Sequence, residues 1–377
     1  MADTASASLK TPVTVLTGYL GAGKTTLLNR ILSENHGQKY AVIVNEFGEI
    51  GIDNDLIVGA DEEVFEMNNG CVCCTVRGDL IRILQGLMRR KGQFDAIIVE
   101  TTGLADPGPV AQTFFVDEDV KARTYLDSVT ALVDAKHFKS ALEADRVVKE
   151  QIAFADQVIL NKTDLVTPEE LNEVEARIRG LNPLATILRA ERSGVDIKSL
   201  LNQHRFDLSK MDGIANHDDH GPDCADDCGH DHDHSHGHDH NPAHGDAGHV
   251  HDEHCGHDHH HHDHGHSHGH GHINPIHDNE IRSVSLSSDK PLDGVRFTKW
   301  IDQLLATKGA DILRAKGIID VAGEDKRLVF QAVHMILEGE LQAPWKDSEN
   351  RFSRAVFIGR HLDDAALRAG FEACIKV

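Results

Sequence analysis

Two groups of residues in this sequence have the types and spacing that chemistry requires. The first is Gly18-Tyr19-Leu20-Gly21-Ala22-Gly23-Lys24-Thr25, which follows the apolar run Val13–Leu16 and leads into Thr26-Leu27-Leu28-Asn29-Arg30-Ile31-Leu32 at helical spacing. Glycines at these points let successive backbone N–H groups wrap a phosphate, and a helix that starts there adds its positive end. Lys24 then reaches the β- and γ-phosphates, and Thr25 offers its hydroxyl to Mg²⁺. The second group is Gly70-Cys71-Val72-Cys73-Cys74. Three closely spaced thiols, flanked by Asn68, Asn69 and Gly70 rather than by apolar neighbours, fit a turn that aims sulfur at one centre. Thiolates suit Zn²⁺, Cu(I) or iron–sulfur chemistry, and three ligands leave a coordination position open for exchange.

Further along, Asn161-Lys162-Thr163-Asp164 follows the run Gln157–Leu160, where an α/β sheet presents a loop to its ligand. A carboxylate at Asp164 can accept from guanine's ring N–H and exocyclic amine, whereas adenine would leave that carboxylate unpaired. Asn161 can address the guanine carbonyl, and the Lys162 stem can lie along the base. Together with the phosphate loop, these residues make GTP the expected nucleotide. Between the two motifs, Phe94–Gly103 reads as a strand ending in Glu100 and followed by Thr101-Thr102-Gly103. Glu100 is expected to hold a Mg²⁺-bound water, and the Gly103 N–H to sense the γ-phosphate. No glutamine stands beside Gly103, so the group that orients the attacking water is left open among Glu46, Glu49 and Asp53. Lys24, Glu46 and Glu100 are thus the candidate catalytic residues. The phosphate loop from Gly18 through Thr26, with Gly103, Asn161, Lys162 and Asp164, is the candidate nucleotide site.

These groups need a scaffold. Residues 12–205 alternate short β-branched runs with helical periodicity, the mark of an α/β fold with a mostly parallel sheet. Expected strands are Val13–Leu16, Ala41–Val44, Ala96–Val99, Val129–Val133 and Gln157–Leu160, each apolar enough to be covered on both faces. Residues 280–377 read as a small α+β domain. Its expected strands are Ile281–Leu286, Ile318–Val321, Leu328–Val333 and Ala355–Ile358, and its expected helices Asp293–Thr307 and Asp363–Ala373. It carries no reactive constellation and reads as a packing or partner-docking unit.

Residues 206–279 are different. Of the 28 histidines in the chain, 23 lie between Asp212 and Asn279, with 15 acidic residues and no Lys or Arg, so this stretch carries −15 of the net −23. Its Asp-His-Gly texture cannot bury enough apolar surface to offset the entropy of ordering, which predicts a disordered linker. Imidazoles such as His230, His232, His234, His236, His238 and His240, then His259, His264, His266, His268 and His270, can hold Zn²⁺, Co²⁺ or Ni²⁺ loosely. The expected role is a low-affinity metal reservoir. His36, His137, His204, His334 and His361 are isolated and read as surface or core residues. The first 11 residues read as a flexible N-terminus.

The acidic balance argues against a nucleic-acid binder, which needs a basic footprint. No apolar run approaches the roughly 20 residues that span a bilayer, and the chain opens without a signal-peptide pattern, so the expected location is cytoplasmic with reduced thiols.

GYLGAGKTT at Gly18–Thr26, NEFGE at Asn45–Glu49, NGCVCC at Asn69–Cys74, ETTGLADP at Glu100–Pro107 and NKTD at Asn161–Asp164 resemble the CobW family of metallochaperone GTPases. Within it, VETTGLADPGPVA and Ala343-Pro344-Trp345-Lys346 look closest to the zinc-transfer branch. The resemblance implies a GTPase that holds Zn²⁺ on Cys71, Cys73 and Cys74 and passes it to client apo-metalloproteins. Eukaryotic zinc-transfer members carry an acidic N-terminal docking peptide for a methionine aminopeptidase. The opening Met1–Ser8 offers nothing comparable, so that client is not expected. Two alternatives stay open: a cobalt carrier for cobalamin synthesis, and a metal-storage or sensing protein switched by nucleotide. No particular oligomer is predicted.

Overall fold

Five of the seven parallel strands found in the first sheet fall where apolar runs demand them. A computed structural model describes residues 10–34, 37, 39–44, 64–66, 74–89, 94–201, 281–346 and 349–376, with backbone alone at 64–66 and 74–77. The expected strands appear as β1 (Thr11–Gly18), β2 (Tyr40–Val44), β4 (Ala96–Glu100), β5 (Thr124–Asp134) and β6 (Gln157–Asn161). Two short ones join them, β3 (Val64–Glu66) and β7 (Thr186–Arg189), giving the order β3-β2-β4-β1-β5-β6-β7 with every pairing parallel.

Alternate side chains along these strands feed two cores. Val13, Val15, Ile43, Ile97, Val99 and Leu160 face one side, where Leu80, Leu84 and Leu87 of α2 (Cys74–Met88) meet them at helical spacing. Leu16, Val42, Val44, Ile98 and Ile159 face the other, against Leu27, Leu28 and Ile31 of α1 (Lys24–Ser33). Covering both faces with helices is what continuous apolar strands require. Among the described residues the remaining helices of this part are α3 (Gly108–Val116), α4 (Glu118–Arg123), α5 (Phe138–Ala144), α6 (Arg146–Phe154) and α7 (Pro168–Leu181). The start of α7 is set by Thr167, whose hydroxyl accepts from Glu170 N at 3.2 Å while the Glu170 carboxylate accepts from Thr167 N at 2.9 Å.

The second sheet is antiparallel throughout, in the order β11-β10-β9-β12-β8. Its strands are β8 (Ile281–Ser288), β9 (Ile312–Ile319), β10 (Lys326–Val333), β11 (Ile336–Pro344) and β12 (Ser353–Arg360), with α8 (Gly294–Lys308) and α9 (Asp364–Glu372). The strand expected at Ile318–Val321 begins instead at Ile312, because the whole run Ile312–Ile319 is buried. Strand β11 has no counterpart in the sequence reading. It is an edge strand with largely exposed residues and lacks an apolar alternation to announce it.

One face of this sheet packs on α8 and α9 through Phe297, Ile301, Leu305, Leu367 and Phe371. From its other side Ile281, Leu313, Val333, Val356 and Ile358 enter the same core as Phe114, Ile152 and Phe154 of the first part. The two sheets therefore form one compact unit. The boundaries expected at 205/206 and 279/280, and the disordered linker between them, lie outside the described residues.

Candidate nucleotide and metal site

The phosphate loop joins β1 to α1 at the carboxyl ends of the parallel strands, the usual ligand edge of such a sheet. Lys24 is only 8 % exposed, and its Nζ donates to Gly18 O at 2.8 Å, across the mouth of its own loop. Thr25 is half-buried beside it, while Thr26, Leu20 and Gly21 are exposed and Ala22 is buried. Gly23 has φ +108, and a Cβ there would stand 2.5 Å from Asn161 Nδ2, so the position takes glycine on both counts.

Glu100 closes β4 in register with Leu16 and Val44 and is 9 % exposed. The next residue ties β4 to β1: Thr101 N donates to Leu16 O at 2.9 Å, and Thr101 Oγ1 to Thr17 Oγ1 at 3.0 Å. These bonds hold the Glu100 end of β4 beside the start of the phosphate loop. Hydroxyl and carboxylate oxygens are hard donors, so Thr25 and Glu100 make a donor set that fits Mg²⁺. The chain then doubles back until Gly103 lies against the loop, where a Cβ would meet Leu20 N at 2.8 Å.

The Asn161–Asp164 motif sits at the end of β6, against the phosphate loop. The Asn161 amide is engaged inside the protein: Nδ2 donates to Ala22 O at 2.9 Å and to Ser193 Oγ at 3.2 Å, and Oδ1 accepts from Ser193 N at 2.8 Å. With both N–H groups engaged in this way, Asn161 ties the phosphate loop to the loop that carries Ser193. Lys162 has φ +61, and its Nζ pairs with Asp134 Oδ2 at 2.7 Å. Burial pushes the Asp134 carboxyl up, but hydrogen bonds from Lys162 and His137 outweigh it and hold the group below the usual carboxylate range. That leaves Asp164, exposed on a short 3₁₀ turn (Thr163–Leu165), as the outward-facing acceptor.

The Arg192–Ser193 loop is absent from the sequence reading. Both residues have positive φ (50° and 57°), and Ser193 Oγ also donates to Gly23 O at 3.1 Å. Its sequence signal, a serine and a glycine after a four-residue strand, is faint. Asp134, too, was missed.

Of the metal candidates, Cys71 and Cys73 lie outside the described residues, as do Glu46, Glu49, Asp53 and the histidines of the acidic stretch. Cys74 is the first residue of α2. Among the described residues no three His, Cys, Asp or Glu side chains gather into a metal site. His137 is exposed beside Asp134, and His361 is exposed. No helix among the described residues is long and apolar enough to cross a membrane.

Residues 12–189 match the family described as CobW/HypB/UreG, nucleotide-binding domain, and residues 281–375 match the Cobalamin synthesis protein cobW C-terminal domain. Over 369 residues the chain is 33% identical to a protein of Escherichia coli named zinc chaperone YjiA, covering 97% of this chain and 98% of that one. The chain belongs to the CobW family. Like other CobW proteins it is a P-loop GTPase. The crystal structure described as Zn(II)-bound YjiA GTPase from E. coli matches it with a TM-score of 0.69 at 28% identity, over 97% of this chain and 99% of that one. A Schizosaccharomyces pombe protein named zinc-regulated GTPase metalloprotein activator 1 is 43% identical over 192 residues, 49% of this chain and 47% of its own.

Proposed function

We propose that this CobW protein is a GTP-dependent zinc metallochaperone. It takes Zn²⁺ as cargo on Cys71, Cys73 and Cys74 and passes it to client apo-metalloproteins as GTP is hydrolysed. One observation carries the reading: the match to a protein named zinc chaperone runs through both parts of the chain, not the nucleotide domain alone. Lys24 leaves its carbonyl partners to meet the β- and γ-phosphates. Thr25 and Glu100 hold Mg²⁺, which screens phosphate charge, and Asp164 accepts from guanine while Lys162, fixed by Asp134, flanks the base. The Gly103 N–H meets the γ-phosphate. The thiol sequence leads directly into α2, so nucleotide-driven movement at this sheet edge changes the zinc ligand set. Clients are metalloproteins, cytoplasmic like the chaperone, and the histidine-rich stretch feeds the cysteine site by raising local metal concentration.

Metal analysis of protein purified without added metal tests the assignment. Replacing Cys71, Cys73 and Cys74 by serine should abolish tight zinc, and retention of zinc by the triple variant would sink the thiol site. Zinc affinity should differ between the GDP and non-hydrolysable GTP forms, and equal affinities would break the coupling. Lys24→Ala should lose GTP hydrolysis in the same preparation. Removal of residues 212–279 should lower metal stoichiometry per chain while leaving the tight site filled. An undiminished stoichiometry excludes the reservoir.

A further inference from the structure

Helix α6 stands between the Gly103 loop and the C-terminal sheet, and it is gripped from both sides. On the nucleotide side Gln151, 2 % exposed, donates through Nε2 to Gly103 O and to Ala105 O, each at 3.2 Å. Those two carbonyls flank Leu104, so one amide fixes the loop backbone where it passes the phosphate loop. Gln151 also lines a small cleft with Tyr19, Leu20 and Asp134.

On the opposite side the C-terminal domain holds neighbouring residues of the same helix. Arg360 of β12 pairs with buried Glu150, one residue from Gln151. Arg314 of β9 donates to Phe154 O, the last carbonyl of α6, and with Lys316 clasps Asp156 just beyond it. A third contact comes from His334, in the two-residue turn between β10 and β11. Its ring lies 5.4 Å from that of Phe154, and a Cβ on Gly108, where the loop enters α3, would meet His334 Nε2 and Phe154 Cζ at 2.9 Å.

We propose that Gln151 is a positioning residue of the GTPase reaction and that the C-terminal domain sets it, through α6, to hold the Gly103–Ala105 loop against the γ-phosphate. The sequence offers no glutamine beside Gly103, and this one reaches the loop from 48 residues away. Its amide donates to the backbone carbonyls of Gly103 and Ala105, so the role proposed is to order the loop rather than to orient water. The inference rests on the placement of Gly103 at the γ-phosphate, and the test separates the two.

Steady-state GTP hydrolysis and GDP affinity are measured on the full chain for Gln151→Met, Gly103→Ala and Arg360→Gln. Met fills the glutamine volume without donors, and kcat should fall about tenfold with GDP affinity unchanged to within about twofold. A purely structural role would move GDP affinity and Tm with no selective loss of kcat, and that pattern overturns the proposal. Loss of turnover in Gly103→Ala but not in Gln151→Met also overturns the role of Gln151, and loss in neither removes the γ-phosphate reading as well. Arg360 is the last residue of β12 and its side chain stays partly exposed, so its loss should not prevent folding and it keeps the test open if Gln151→Met does not fold. Arg360→Gln should lower kcat about threefold and combine less than additively with Gln151→Met. Wild-type turnover in Arg360→Gln, or full additivity, overturns the part given to the C-terminal domain.

Discussion

Asp164 is where exchanging one atom has the sharpest predicted consequence. In the proposed role its carboxylate would offer two acceptors to guanine, and Asp164→Asn would convert one of them to a donor that faces the base's own exocyclic amine. Two hydrogen bonds to a charged group are worth about 1.5–3 kcal/mol each, so GTP affinity should fall by roughly 100-fold or more. Xanthosine triphosphate, which carries a carbonyl where guanine has the amine, should bind the variant better than GTP does. Equal loss for both nucleotides in a competition assay would show that Asp164 does not read the base. The tetrapeptide was legible in the sequence, but the contact of Asn161 with the phosphate loop was not. Its partner Ala22 is 139 positions away, and only folding brings them to 2.9 Å.

Among elements, the phosphate loop is the most constrained. At Gly23→Ala a Cβ would combine left-handed backbone with a 2.5 Å approach to Asn161 Nδ2. Such strain costs about 1–3 kcal/mol. Tm and nucleotide affinity should therefore drop together, because the same clash displaces Asn161 from Ala22 O. Unchanged GDP binding by calorimetry would contradict this. In the parallel sheet, the strands that sequence patterns announced are those covered on both faces, where apolar residues dominate. Strands β3, β7 and β11 escaped because they are short or lie at an edge, with β7 and β11 largely open to solvent. A half-exposed edge strand needs no particular pattern beyond compatibility with its single neighbour.

For the molecule as a whole, the junction between the two sheets is electrostatic at its centre. Burial works to raise the Asp156 carboxyl, but the neighbouring Arg314 and Lys316, with a hydrogen bond from Val129 N, hold it below the usual range. Asp156→Asn removes the counter-charge from between two buried cations and should destabilise the fold by about 3–5 kcal/mol, read as a lower denaturant midpoint. His334 gives the junction a pH dependence. Burial lowers its pKa from 6.5, against the opposing pull of Asp106 and reinforced by Arg360. A depressed folded value means that full stability is present above about pH 6.5 and is lost as the pH falls, because the unfolded chain takes up the proton first. Between pH 7 and 5 the wild type should lose more Tm than His334→Asn, whose side chain also tolerates the positive φ of this turn. Parallel losses would exclude His334 as the source.

The order of residues already contained the fold class, the phosphate loop, the Asn161–Asp164 motif and the membership of both parts in one family. Each of these depends on local geometry: glycines at fixed steps, a lysine at the helix start, apolar runs of strand length. The joining of the two parts did not show in the sequence. It depends on Arg314, Lys316 and Arg360 meeting Asp156 and Glu150 across separations of 158 to 210 positions. Charged residues in strands read as surface until another surface buries them, and Gln151 reads as a polar residue in a helix until the chain lays Gly103 and Ala105 against it. The histidine stretch stood out by composition and the three cysteines by spacing, yet the parts of this protein that bind one another are ordinary side chains made specific by where folding places them.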